Sequence, residues 1–148
     1  MTTKQHSRDF HPLPNPHNIH QDDLSPGRGN ALQAAVASIF GLDLKDVPNF
    51  ITVEGGYENA IRTFCQERGG IDCKKMAVGK DKDKDKDLSE YNGELCILRG
   101  TSPRGDFGHV VVARRIGDQF EMVHDPHPDG TFLAGDEFGW CMFFCIDD

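Results

Sequence analysis

A histidine at residue 109 and an aspartate at residue 125 could share a proton-transfer task. His109 follows Gly108 and opens the apolar run HVVVAR, so its imidazole sits at a strand end, beside a residue with no side chain to block access. Imidazole titrates near neutrality and serves as a general base wherever it is held next to its proton donor. Asp125 closes a second run, DQFEMVHD, separated from the first by Gly117 and Asp118. A tight turn there makes the two runs a hairpin and places residues 109 and 125 near the same end. An aspartate that orients a histidine and stabilises its imidazolium is the second half of a relay from nucleophile to His to Asp.

Such a relay needs a thiol or hydroxyl at a helix N-terminus, where free N–H groups and the helix dipole favour a thiolate and an oxyanion. The first helical pattern, ALQAAVASIFG, begins at Ala31, whose methyl group has no lone pair. The preceding Asn30 is of the type that caps helices, and that is the role expected of it. Metal binding is the rival chemistry. His6, His11, His17, His20, His124 and His127 are numerous, but no CxxC or HExxH spacing holds them, and no metal site is expected. Cys141 and Cys145 lie four apart on a strand among Trp140, Met142, Phe143 and Phe144, and read as core.

The elements that must position these residues follow from periodicity. Residues 1 to 29, with Pro12, Pro14 and Pro16 and little apolar pattern, form an arm and loop; residues 30 to 148 form one domain. Leu32, Ala35, Val36, Ile39 and Phe40 repeat at helical spacing, which predicts one apolar face ending at Gly41. A second helix is expected over GGYENAIRTFCQERGG, with Ile61, Phe64 and Cys65 inward. Strands are expected at IDCKKMAV, GELCILRG, HVVVARRI, DQFEMVHD and WCMFFCI. The alternating charges of residues 80–87 predict a solvated surface loop. Helices first and antiparallel strands afterwards is an α+β order, with the N-terminal helix packed on the sheet.

Bulk properties narrow the function. A chain of 148 residues with a net charge of −8 repels phosphate backbones and anionic bilayers, so neither nucleic acid nor a membrane is an expected partner. That balance also favours a basic or neutral substrate over an anionic one. No run approaches the roughly 18 apolar residues of a membrane span, and five widely spaced cysteines do not suggest a disulfide framework. A soluble, cytoplasmic protein with reduced thiols is expected.

Three blocks carry a resemblance: GNALQAAVASIFGLDLKDVPNF, TSPRGDFGHVVVAR and MVHDPHPDG. They are similar to GNCLQAAVASLLGLPLEEVPxF, GPSPRGxxHAVVGR and MVHDPHPSG of the small papain-like cysteine hydrolases of phage and bacteria. The resemblance implies a papain-like fold and hydrolysis of an amide, peptide or isopeptide bond in a peptide or protein substrate, without a cofactor. It implies that Ala31 occupies the nucleophile position, that His109 is the general base, that Asp125 orients it, and that Gln21 is the side-chain oxyanion donor. An acyl transferase using the same thioester is a close variant. Alanine at position 31 is either a substitution made in a cysteine enzyme or the mark of a natural pseudoenzyme that keeps the groove for binding.

Overall fold

The strand-forming runs pair into one antiparallel sheet, and the last run in the chain takes a central place in it. The computed structural model describes residues 11–24, 29–52, 54–78, 89–135 and 138–146. Its strands are β1 (Ile71–Ala77), β2 (Leu95–Thr101), β3 (Gly108–Ile116), β4 (Gln119–His124) and β5 (Phe138–Ile146). They are ordered β1-β5-β2-β3-β4, each antiparallel to its neighbours. Consecutive apolar residues suit a strand covered on both faces. In β5, Met142 and Phe144 join Ile97, Val110 and Val112 beneath the helices, whereas Cys141 and Phe143 join Leu98 and Val111 on the opposite face. Tyr91 stacks on Phe143 there, with ring centroids 4.3 Å apart.

Two α-helices, α1 (Ala31–Phe40) and α2 (Tyr57–Gly69), precede the sheet, giving the expected α+β order. α2 presents Ile61 and Cys65 to the core, with Phe64 half-buried and edge-on to Phe50. α1 departs from the expectation of one apolar face, because every residue except Gln33 is buried. The cause is residues 11–24, which run along its outer side. The Leu13 N–H donates to the Ile39 carbonyl and the His17 N–H to the Ser38 carbonyl, both at 2.9 Å. Ser38 Oγ accepts the Ile19 N–H at 3.1 Å and donates to the Ala34 carbonyl at 2.8 Å. His124 Nε2 donates to the Ile19 carbonyl at 2.7 Å, tying the same segment to the end of β4. Gly41 permits this wrap twice over: its φ of 70° ends the helix, and a Cβ there would lie 2.8 Å from Leu13 Cδ1.

The β3–β4 hairpin turns at Gly117, φ 60°, and Asp118, with Ile116 opposite Gln119. Its register then shifts, because Ala113 faces Met122 while Val112 faces His124. Val123 is therefore an extra residue on β4, a bulge that bends the strand at its end. The charged run at 80–87 and the first ten residues of the arm lie outside the described residues. No helix of the described residues is long and apolar enough to cross a membrane.

Ser38→Ala leaves the Ile19 N–H without its acceptor while keeping the helix residue small. We expect a loss of about 1–3 kcal/mol in urea unfolding. Limited proteolysis should show faster cleavage within residues 11–24; an unchanged pattern would mean that Ser38 does not hold this segment.

Candidate active site

β3 starts at Gly108, which places His109 at the mouth of the sheet next to the bent end of β4. His109 Nε2 lies 2.7 Å from Asp125 Oδ1, and the two side chains are only 5% and 1% exposed. The hairpin alone does not make this contact. β4 ends at His124, and Asp125 belongs to the loop after it, displaced by the Val123 bulge. That loop is folded around the carboxylate: Oδ1 also accepts the His127 N–H at 3.0 Å, and Oδ2 accepts the Phe132 N–H at 2.8 Å. Burial works against charge on Asp125, but the His109 hydrogen bond and the two backbone N–H groups outweigh it, holding its pKa below the ordinary carboxylate value. An ionised carboxylate only accepts, so His109 donates through Nε2 and, when neutral, keeps its lone pair on Nδ1. No described residue hydrogen-bonds Nδ1.

Ala31 and His109 line one cleft of about 210 Å³. Ala31, 9% exposed, is the first residue of α1, and Asn30 before it does not cap the helix as expected. Its Oδ1 instead accepts the N–H groups of Asp22 and Asp23 at 3.1 and 2.9 Å. Its Nδ2 donates to Asp22 Oδ1 and Gln33 Oε1. The Asn30 side chain is spent on holding the 21–24 loop, which leaves the first N–H groups of α1, at Ala31 and Leu32, without an acceptor among the described residues. Uncapped N–H groups at a helix start are donors for a developing negative charge.

That loop carries Gln21, which is 8% exposed and lines the same cleft. Its backbone N–H donates to the Pro126 carbonyl at 2.9 Å, which joins the loop to the residue after Asp125. Its Nε2 donates to the Asp23 carbonyl at 2.8 Å and has a second hydrogen to give, while Oε1 is buried without a partner among the described residues. Of the four sequence-selected residues, Gln21, Ala31 and His109 line one opening, and Asp125 is buried behind His109.

Residues that sequence reasoning missed form the rest of the wall. Tyr57 and Trp140 stack, centroids 5.7 Å apart and planes 18° from parallel, with Lys75 Nζ within 5.1 Å of both centroids. Trp140 is therefore a cleft residue, not only a core neighbour of the cysteines. Arg104 donates to both carboxylate oxygens of Asp129 at 3.0 and 3.1 Å. Against the desolvation that opposes its charge, Thr131 and Arg104 hold the Asp129 carboxyl down to about 2. Arg99 lies across Gly108 and pairs with no described residue; its signal in the sequence was the glycine itself, read as clear space beside His109. The five cysteines are free thiols away from the cleft, and burial pushes Cys96 and Cys145 above the usual thiol range. Among the described residues no three metal-ligating side chains converge.

Asp125→Asn leaves one acceptor oxygen for three N–H donors. We expect a loss of about 1–3 kcal/mol at pH 7. Because the folded pKa of Asp125 is lowered, its stabilisation is full above the unfolded value near 3.8 and fades as pH falls through the folded value. The gap in urea-unfolding stability between the two proteins should therefore be full at pH 7 and narrow as pH falls below 3.8; a constant gap would mean that the carboxylate charge is not what matters. No protein-family model, curated protein or solved structure matches this chain.

Proposed function

We propose that the chain is built as a papain-like cysteine hydrolase of amide, peptide or isopeptide bonds, with alanine at the nucleophile position. The observation that carries this reading is the buried His109–Asp125 pair opening onto the same cleft as the uncapped start of α1. A thiol at position 31 would give its proton to His109 Nδ1, the ring nitrogen left over by Asp125. The thiolate would attack the acyl carbon, and the carbonyl electrons would become an oxyanion. The Ala31 backbone N–H and Gln21 Nε2 are the donors for that charge. His109 would return its proton to the leaving amine as the carbonyl re-forms, and water would release the thioester by the same route. Another nucleophile in place of water would make the protein an acyl transferase.

With alanine at position 31 no covalent step is available, and the chain holds its acyl ligand without cleaving it. The ligand in this reading is a peptide or protein segment; Leu24 and Ile51, 49% and 42% exposed on the rim, offer apolar contact for its side chains.

Ala31→Cys should install a thiol that iodoacetamide alkylates at pH 7 about tenfold faster than any of the five native cysteines. His109→Ala should remove most of that advantage. Mass spectrometry of labelled peptides reads both, with Cys65, Cys73, Cys96, Cys141 and Cys145 as internal standards. An introduced thiol no faster than these, or indifferent to His109, sinks the hydrolase reading in favour of a binding module.

A further inference from the structure

Net charge and local charge disagree in this protein. The chain carries −8, yet among the described residues no acidic one lines the cleft beside His109, whereas Arg99 and Arg104 both do. Arg104 is neutralised by Asp129. Arg99 makes no ion pair or hydrogen bond with any described residue, so among the described residues of the cleft its charge is the uncompensated one.

Arg99 is also held in place. It belongs to β2, where it pairs with Val110 of β3 and Trp140 of β5, so it stands between the catalytic strand and the aromatic wall. A Cβ added to Gly108 would fall 2.5 Å from Arg99 Cζ and 2.9 Å from Nε, inside the guanidinium. A Cβ on Gly139 would come 3.5 Å from Nη1. Glycine at 108 lets the planar group lie against the backbone on the cleft side, whereas a Cβ at 139 would only touch it in ordinary contact. Gly108 has an ordinary backbone conformation, and what its missing side chain provides is room for the cation.

We propose that Arg99 forms a carboxylate subsite, so that the cleft takes an acyl ligand bearing a carboxylate close to the bond that faces position 31. A flat guanidinium with its donors unused matches the planar, two-oxygen geometry of a carboxylate. One uncompensated cation in an otherwise acidic molecule suits one negative charge. The Tyr57–Trp140 stack beside it receives the apolar body of the same ligand. The carboxylate is either a chain-terminal group or an acidic side chain next to the scissile bond. The inference deepens the hydrolase reading and rests on it for the identity of the acyl group, while the anion subsite has its own test.

Trp140 is the single tryptophan of the chain, so its fluorescence reports on the cleft without a label. Three blocked amino acids of nearly equal shape serve as probes. N-acetylglutamine carries a terminal carboxylate, N-acetylglutamate α-amide a side-chain carboxylate, and N-acetylglutamine amide none. One of the two acids should bind about tenfold more tightly than the neutral amide, and the tighter of them identifies the source of the carboxylate. Arg99→Gln should remove the preference, leaving the amide unaffected, and Gly108→Ala should weaken it by displacing the guanidinium. Equal binding of acid and amide, no response to either acid, or a preference that survives Arg99→Gln overturns the subsite. Iodoacetamide labelling after Ala31→Cys separates the two ideas. Fast labelling without acid preference removes the Arg99 inference alone, whereas acid preference without fast labelling removes the hydrolase and leaves an anion-binding cleft.

Discussion

The Asp125 carboxylate is buried, ionised and surrounded by three N–H donors, and an arrangement of this kind constrains every element that supplies one. A charge removed from water is tolerable only when its lone pairs are met by well-placed donors. His109 supplies one from β3, and His127 and Phe132 supply two from the loop beyond β4. To deliver its N–H, Phe132 adopts a φ of 61°, a left-handed conformation that costs a side-chain-bearing residue about 1–2 kcal/mol. Arg104 and Thr131 brace the intervening turn through Asp129. The loop is thus shaped around the carboxylate, and the tautomer of His109 follows from that shape.

On the opposite side of the cleft, α1 gives up a stabilising feature. An asparagine before a helix ordinarily caps it, worth about 1 kcal/mol. Here Asn30 points its side chain backward and holds Asp22 and Asp23. The helix is held instead by burial on nearly all sides, by the sheet within and by residues 11–24 without. The exchange leaves the Ala31 and Leu32 N–H groups without an acceptor among the described residues and brings Gln21 alongside. The Gln21–Pro126 bond then closes the circuit between the helix loop and the Asp125 loop, so the two halves of the site are referenced to each other through backbone contacts.

Much of this was legible in the residues. The apolar spacing from Leu32 to Phe40, the apolar runs of the strands and the Gly117–Asp118 turn located the elements and brought residues 109 and 125 to the same end of a hairpin. The all-round burial of α1 was not legible, because the outer cover is made largely by backbone bonds such as Leu13 to Ile39, which impose no side-chain pattern on the sequence. The central position of β5 was hidden for a related reason: an apolar run shows that both faces are covered, not which strands lie beside it. Asn30 misled because cap preference is a local rule, and the contacts that override it come from a loop eight residues back. Gly108 was noticed, but the space it leaves was assigned to His109 when Arg99 fills it.

The same distinction between local and distant effects governs what the cleft selects. An overall charge of −8 shapes approach from afar, but at physiological ionic strength its influence decays over about 8 Å. In the Arg99 proposal, a ligand seated in the cleft meets the exposed guanidinium at contact range, with no acid among the described residues of the wall. At that range directional hydrogen bonds to a charged group outweigh the screened field of distant carboxylates. The acidic surface and the cationic cleft then act in sequence. In that proposal the surface would slow indiscriminate capture of anions, and the cleft would retain those whose carboxylate reaches Arg99 while the aromatic wall covers the rest. The acidic composition that argued for a basic or neutral substrate and the proposed Arg99 subsite therefore point to different ligands, and in that proposal it is the cation unpaired among the described residues, rather than the net charge, that selects.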